Sequence, residues 1–521
     1  MALPLRQGVL TPANKAFTLS ATGVICCLAL CKLLIHLYAG RHYGFFIDEL
    51  YYLACSRHLD WGYVDQPPLI AVITWLVRSL TGDSLPALRL LPAIAGVGEI
   101  ALTALITRQL GGRRFAQALA ALATLVAPGI LATSNLLTMN AFEPLFWLGC
   151  AALLIQIVKT GNEKLWIWFG VVVGFGIENK YSMLLFASSA LLGLLLSPQR
   201  RLLASPWIWG AGILAFLIEL PNLVWNVQHH FPFLELQANI RHLGRHTPLT
   251  PLLFIAEETL SMNPLTLPLW GAGVWFYFGT GPGRQFRVLG WAWLFTAIVI
   301  IVLSPRIYYL FPAFPILFAG GAILWEEWLG RPQRFCWKLA WSAALVATGI
   351  ALAPIAIPVL SPETYIRYTR AMHIGQPAIE TEKLGPLPQI FADQFGWEEM
   401  TESIAKFYNG LPLTIRLKTA IFAMNYGQAG AIDLFGPRYG LPKAISGHQN
   451  YFLWGPRGYT GESIIVMGLG RKYLERNFAE VRKIGTVYHP YSMPYNHFDV
   501  FYCIGAKTPL NKAWPRLKHW S

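Results

Sequence analysis

Charge is what this 521-residue sequence has least of: Asp, Glu, Lys and Arg make up 13% of it, against 55% hydrophobic residues. Length alone would allow about three soluble domains, but this composition, with a mean hydropathy of +0.44, excludes them and makes lipid the main solvent of the first two-thirds. Acids are scarcer than bases, 27 against 41, for a net charge of +14. The basic residues lie in small groups between apolar runs, the pattern of cytoplasmic loops, so nucleic-acid binding is not expected. No CxxC or metal-ligand spacing occurs among the seven cysteines, which fall mostly in apolar runs and read as small core hydrophobes. There is no heptad, low-complexity tract or solenoid period, which excludes coiled coils and repeat arrays. A cleavable leader is also not expected. The apolar run from Phe17 to Tyr38 is longer than a signal-peptide core, lacks a small-residue cleavage site, and reads as a retained first span.

What is there, instead, is a series of long apolar runs. With roughly 20 residues per span, about eleven are expected, starting near Phe17, Pro86, Arg114, Ala141, Ile167, Tyr181, Pro206, Leu252, Arg287, Tyr308 and Trp337. Basic residues gather in alternate connections: Arg6 and Lys15; Arg108, Arg113 and Arg114; Lys159 and Lys164; Arg200 and Arg201; Arg284 and Arg287; Arg331, Arg334 and Lys338. The positive-inside rule then puts the N-terminus in the cytoplasm. An odd span count puts everything after Ser361 outside. That gives a membrane domain over 1–360, with a first outer loop over 39–85, and an outer α/β domain over 361–521. Within the latter, WEEMTESIAKFY (Trp397 to Tyr408) predicts a helix and IIVM (Ile464 to Met467) a strand.

The first outer loop is the largest irregular segment between spans, and a loop that long is more often functional than not. It holds FFIDELYY, with the adjacent acids Asp48 and Glu49, then VDQPPL, with Asp65 and Gln66 before two prolines, then an apolar run from Ile70 to Leu80 that suits the interface plane. Singly, each acid has an ordinary explanation, as a solvated loop residue or a helix cap. Glu143 in TMNAFEPLFW is an ionisable residue at the outer start of a span, a position that suggests function but also suits the helix dipole. Lys180 in IENKY and Arg306 in SPRIYY could likewise be snorkelling cations. Their convergence is the stronger point, because on this topology all of them lie at one outer face. Carboxylates beside a few cations suit transfer from a phosphate-linked donor to a hydroxyl acceptor: an acid takes the acceptor proton and the cations hold the leaving phosphate. The histidines and arginines from His229 to His246 lack zinc spacing and suit a phosphate or headgroup surface better than a metal site.

In the order and spacing of several strings the chain resembles the membrane glycosyltransferases of family 39, relatives of the protein O-mannosyltransferases and aminoarabinose transferases. The strings are Asp48-Glu49, VDQPPL (Val64 to Leu69), FEPL (Phe142 to Leu145), NKY (Asn179 to Tyr181), PNLVWN (Pro221 to Asn226), YYLFPAFP (Tyr308 to Pro315), NYGQAGAID (Asn425 to Asp433) and SGHQNY (Ser446 to Tyr451). The resemblance implies an α-helical polytopic GT-C fold in a bacterial inner membrane. It also implies a polyprenyl-phosphate sugar donor, a lipid, glycan or protein acceptor, and inverting transfer on the periplasmic side. Asp48 matches the catalytic acid of the first outer loop, Glu143 the acid of the fourth-span motif, and Asp65 the acid before the prolines. Glu49 completes the acidic set. Gln66, where relatives often carry Lys or His, can hydrogen-bond a phosphate but not neutralise it. Lys180, Arg306 or a loop histidine would then carry more of that role; donor-phosphate and acceptor contacts are expected at Asp65, Gln66, Lys180, Arg306, Tyr308 and Tyr309, with Asp48 and Glu143 as ligands for an optional divalent cation. Tyr426, Asp433, His448 and Tyr451 suit acceptor contact and core packing equally. The alternative from another class is a transporter or flippase of a lipid-linked or sugar substrate, whose charges would lie near the midplane on broken helices.

Overall fold

The structure, a computed structural model, describes residues 20–244, 249–303, 306–375 and 383–520. Arg6, Lys15, Phe17, Arg245, His246 and Ser304, on which expectations above rest, lie outside the described residues. Helices α1 (Ala21–Ala39), α2 (Ile47–Ser56), α3 (Leu69–Thr81), α4 (Leu85–Gln109), α5 (Arg114–Leu125), α6 (Pro128–Thr133), α7 (Met139–Thr160), α8 (Leu165–Asn179) and α9 (Ser182–Leu195) follow in order. Then come α10 (Pro206–Gln228), α11 (Pro232–His242), α12 (Pro251–Ser261), α13 (Leu267–Gly279), α14 (Arg287–Leu303), α15 (Phe314–Leu329) and α16 (Phe335–Ala356).

Every expected span start lies near a helix, yet the count of eleven is not reproduced. Among the described residues seven helical stretches are long and apolar enough to cross a bilayer, or eight if α9 and the bent turn after it form one span. Breaks that hydropathy averaging passes over account for the difference. α5 is only 12 residues long, ending shortly before Pro128 opens α6. The run from Leu252 is split where Asn263 takes a φ of 69° and Pro264, which has no N–H to donate, starts a new turn. The outer C-terminal segment rested on an odd count, and it belongs with the inside N-terminus to the proposal below. α3 carries its apolar residues on two sides: Ile70, Ala71 and Val77 are buried while Trp75, Leu76 and Leu80 are exposed.

Inside the bundle α1 packs on α4 through a polar contact that sequence reading passed over. Lys32 and Glu99, both buried, pair at 3.4 Å. The approach needs a glycine, since a Cβ on Gly96 would stand 2.5 Å from Lys32 Cε. His36, one turn along α1, is buried beside them.

The C-terminal segment supplies a five-stranded sheet in the order β2-β1-β3-β5-β4. Its strands are β1 (Thr419–Ala423), β2 (Ile445–Ser446), β3 (Ser463–Met467), β4 (Phe478–Val487) and β5 (Phe498–Ala506). β1 pairs in parallel with β2 and β3, and β5 runs antiparallel to β3 and β4. The predicted strand is β3, buried along its length, and the predicted helix is Trp397–Asn409. One hydrophobic core joins this sheet to the first outer loop: Ile47, Leu50, Leu53 and Ile70 pack with Trp397, Ile404, Ile432 and Ile465. The helix Tyr426–Phe435 lies on α2 so closely that a Cβ on Gly430 would meet the Leu50 carbonyl oxygen at 2.8 Å. Gly430→Val is therefore expected to destabilise this docking by about 1–3 kcal/mol, read as earlier proteolysis of the C-terminal segment. Unchanged cleavage would show that α2 yields to the larger side chain.

Candidate functional site

Asp48 and Glu49 occupy the first turn of α2, where the helix N-terminus favours negative charge. Adjacent helical residues point about 100° apart and do not share a face, so the pair divides. Glu49 is fully buried. Its oxygens receive Arg89 Nε at 3.0 Å, Arg89 Nη2 at 2.8 Å, the Phe46 N–H at 2.9 Å and the Leu137 N–H at 3.0 Å. Arg89 also donates to the carbonyls of Gly40, His42 and Gly44 and to Gln394 Oε1. With four donors already on its oxygens, Glu49 ties the start of α2 to α4, to the turn before α7 and, through Arg89, to the C-terminal segment. The expectation of a chemical role for Glu49 meets a carboxylate enclosed in a structural network.

Asp48 faces the other way and is partly exposed. Its Oδ1 accepts from Tyr426 Oη at 2.8 Å, a contact between the first loop and the C-terminal domain. Burial, reinforced by the Asp48 charge, pushes the Tyr426 phenol well above its usual range, so it stays an O–H donor. The Tyr426 ring is stacked between Tyr51, centroids 4.7 Å apart, and His448, at 4.9 Å.

Asp65 joins the same cluster through Tyr51, whose Oη is 2.9 Å from Asp65 Oδ1 and 3.1 Å from Asn450 Oδ1. Asn450 Oδ1 also accepts from the Val64 N–H at 2.7 Å, so the C-terminal domain holds the VDQPPL loop as well. The Asp65 carboxyl is pushed up to about 7, first by burial and further by the charge of Asp48, against the pull of the Tyr51 hydroxyl. Unfolded, it titrates near 4. Between about pH 4 and 7 the folded protein thus holds the extra proton, and stability falls as pH rises through that window. Asp65→Asn removes the titration. The unfolding midpoint of the variant minus that of the parent is expected to rise from pH 4 to 7 and then level; a difference independent of pH would place Asp65 in solvent.

The remaining residues form a second group across Tyr52, whose phenol feels the charges of Asp48 and Asp65 and the neighbouring Tyr308. Lys180 Nζ, buried, lies 2.8 Å from both Glu143 Oε2 and Asn140 Oδ1 and 4.1 Å from the centre of the Tyr309 ring. The Ser182 hydroxyl donates to the other Glu143 oxygen. Lys180 is therefore not the unengaged cation that the sequence suggested. Both Glu143 oxygens already have a partner, an ammonium on one and a hydroxyl on the other. Among the described residues no cluster of three His, Cys, Asp or Glu side chains could hold a metal. Tyr308 and Tyr309 stack at 5.0 Å, and Arg306 Nη1 reaches the Tyr308 hydroxyl at 3.2 Å. A narrow crevice runs past Glu143, Asn140 and Tyr308 to Glu99.

Gln66 is turned inward: fully buried, its amide lies 3.9 Å from Cys55 Sγ. Asp433 and Tyr451 are core residues, the carboxylate accepting from the Ala444 N–H at 2.8 Å and from Tyr451 Oη at 3.1 Å. The residues missed from sequence are Arg89, Lys32 and Glu99. Their one signal was a charge inside an apolar run.

Residues 65–225, which carry Asp65, Glu143 and Lys180, match the family model described as dolichyl-phosphate-mannose-protein mannosyltransferase. Among curated proteins, the lipid A galacturonosyltransferase RgtD of Rhizobium johnstonii is 29% identical over 204 residues, 38% of this chain and 42% of that protein. The lipopolysaccharide core galacturonosyltransferase RgtB of the same organism is 25% identical over 333 residues, 60% of this chain and 64% of that one. The matches thus span about two-fifths to two-thirds of the length of these relatives. Among solved structures, ArnT from Cupriavidus metallidurans bound to undecaprenyl phosphate superposes with a TM-score of 0.60 at 14% identity, covering 92% of this chain and 98% of that one. The resemblance drawn from the short motifs is thereby borne out: the fold is similar to that of ArnT, and residues 65–225 match the model of the dolichyl-phosphate-mannose-protein mannosyltransferase family.

Proposed function

We propose that this chain is a multi-pass inner-membrane glycosyltransferase. It moves one sugar, with inversion, from a polyprenyl-phosphate donor to an acceptor hydroxyl on the periplasmic side, with the N-terminus in the cytoplasm. The observation that carries the reading is Asp48, partly exposed at the start of α2 and held by a buried phenol of the C-terminal domain. The fold shared with a protein bound to undecaprenyl phosphate supports the donor class. The two curated relatives point to a hexuronic acid as the sugar and to a lipopolysaccharide component as acceptor.

In this reading Asp48 takes the proton of the acceptor hydroxyl as its oxygen attacks the anomeric carbon. The bond from that carbon to the phosphate oxygen breaks on the opposite face, and its electron pair leaves with the phosphate. Arg306 and the Tyr308 hydroxyl meet the charge that develops there. Lys180, already neutralised by Glu143, orients these groups rather than supplying net charge. Asp65, sharing the cluster with Asp48, tunes its basicity.

The test is transfer in proteoliposomes from polyprenyl-phosphate galacturonic acid to lipid A or core oligosaccharide, with the aminoarabinose donor as comparison. A covalent product with retained carrier phosphate supports the proposal. Uptake of the lipid-linked sugar without product would favour the transporter reading and overturn this one.

A further inference from the structure

The face of the bundle away from Asp48 carries a second feature. Three helices run to it from the candidate site. α9 starts at Ser182, which bonds to Glu143. α10 ends beyond Asn222, which donates to the Trp61 carbonyl at 2.8 Å in the first loop. α14 leads towards Arg306 and Tyr308. The other ends of α9 and α14, at Leu195 and Arg287, border an open cavity of about 460 Å³ lined by Arg200, Arg201 and Arg287 together with Leu195, Leu196 and Pro198.

α9 has only 14 residues, a rise of roughly 21 Å against roughly 30 Å of hydrocarbon. The chain then bends by 113° into the turn Pro198–Ala204. A helix that short with a bend at its end suits a position of Arg200 and Arg201 near the headgroups. Both are exposed. Arg287 is fixed by its Nη2, which donates to the Phe278 carbonyl at 2.9 Å, while its Nε is buried without a partner. Among the described residues none of the three guanidinium groups is in an ion pair. Leu195 and Leu196 of the cavity lining are exposed, as are Leu191 and Leu192 one turn earlier on α9, and exposed Trp207 and Trp209 begin α10, as aromatic side chains do at a membrane interface.

Three unopposed guanidinium groups beside the exposed leucines of α9 suit a phosphate with hydrocarbon attached better than a soluble anion. We propose that this cavity binds the phosphate headgroup of an anionic membrane phospholipid, on the face opposite the candidate site, with its acyl chains along α9. The inference is independent of the proposed reaction.

Native mass spectrometry of the full chain tests it, with phosphatidylglycerol, phosphatidylcholine, polyprenyl phosphate or inorganic phosphate added in turn. The parent is expected to retain phosphatidylglycerol at least tenfold better than phosphatidylcholine. Arg200→Gln/Arg201→Gln, two exposed positions that the fold does not need, is expected to lose most of that preference, and Arg287→Gln to lose it separately. Equal retention by parent and double variant would overturn the proposal. So would preferential retention of polyprenyl phosphate, which would assign the cavity to the carrier, or saturation by inorganic phosphate alone, which would assign it to a soluble anion.

Discussion

Asp48→Asn is expected to lower sugar transfer by about 10²- to 10⁴-fold, the range that a positioned general base contributes, with the protein folded and its donor affinity little changed. Asparagine is isosteric and keeps an oxygen to accept from Tyr426, so the change isolates proton transfer from geometry. Turnover in proteoliposomes at saturating donor is the measurement; full activity would remove Asp48 from the chemistry. Tyr426→Phe makes the informative companion. It leaves the carboxylate in place but removes the 2.8 Å hydrogen bond that aims it, and a smaller loss with a shifted pH profile is expected.

The second large effect is on stability. Arg89→Met leaves Glu49 buried without its ion pair, and breaking a buried pair on one side costs about 3–5 kcal/mol. The loss is expected to be global, because Arg89 also holds three loop carbonyls and Gln394. Replacing both partners with apolar residues should recover part of it, since no charge is then stranded. Unfolding midpoints in detergent for the two single variants and the double variant give the comparison. The exposed pair Arg438 and Glu398 serves as control, because a surface ion pair is worth about 0–1 kcal/mol. If Arg89→Met behaved like that control, the hub assigned to Arg89 would be wrong.

These two predictions separate the two acids of one motif, which the resemblance divided by matching Asp48 to the catalytic acid and which local spacing alone does not. Asp48 and Glu49 are neighbours with the same chemistry. What separates them is the angular step of the helix and the partner that each side chain meets. Arg89 lies 40 residues further on in an apolar run, where averaging over a window hides a single charge; Lys32 and Glu99 were hidden in the same way. Lys180 was legible as a residue of interest but not as one already paired, because its partner Glu143 becomes its neighbour only when α7 and α8 pack. The span count was not reproduced for a related reason: hydropathy reports apolar length, whereas the bends at Pro198 and Pro264 depend on backbone geometry.

By itself the sequence determined the solvent, the helical class and the sheet-bearing C-terminal segment, and it identified the short motifs of the GT-C membrane glycosyltransferases. Composition, periodicity and local spacing carry that information because each acts over a few residues. Only the tertiary structure decided which carboxylate of the pair is enclosed and which stays partly exposed. Tyr426 reaches Asp48 across 378 residues of chain, and Asn450 reaches Val64 across 386. Contacts of that range arise from packing one hydrophobic core between the first loop and the sheet, and no local pattern encodes them.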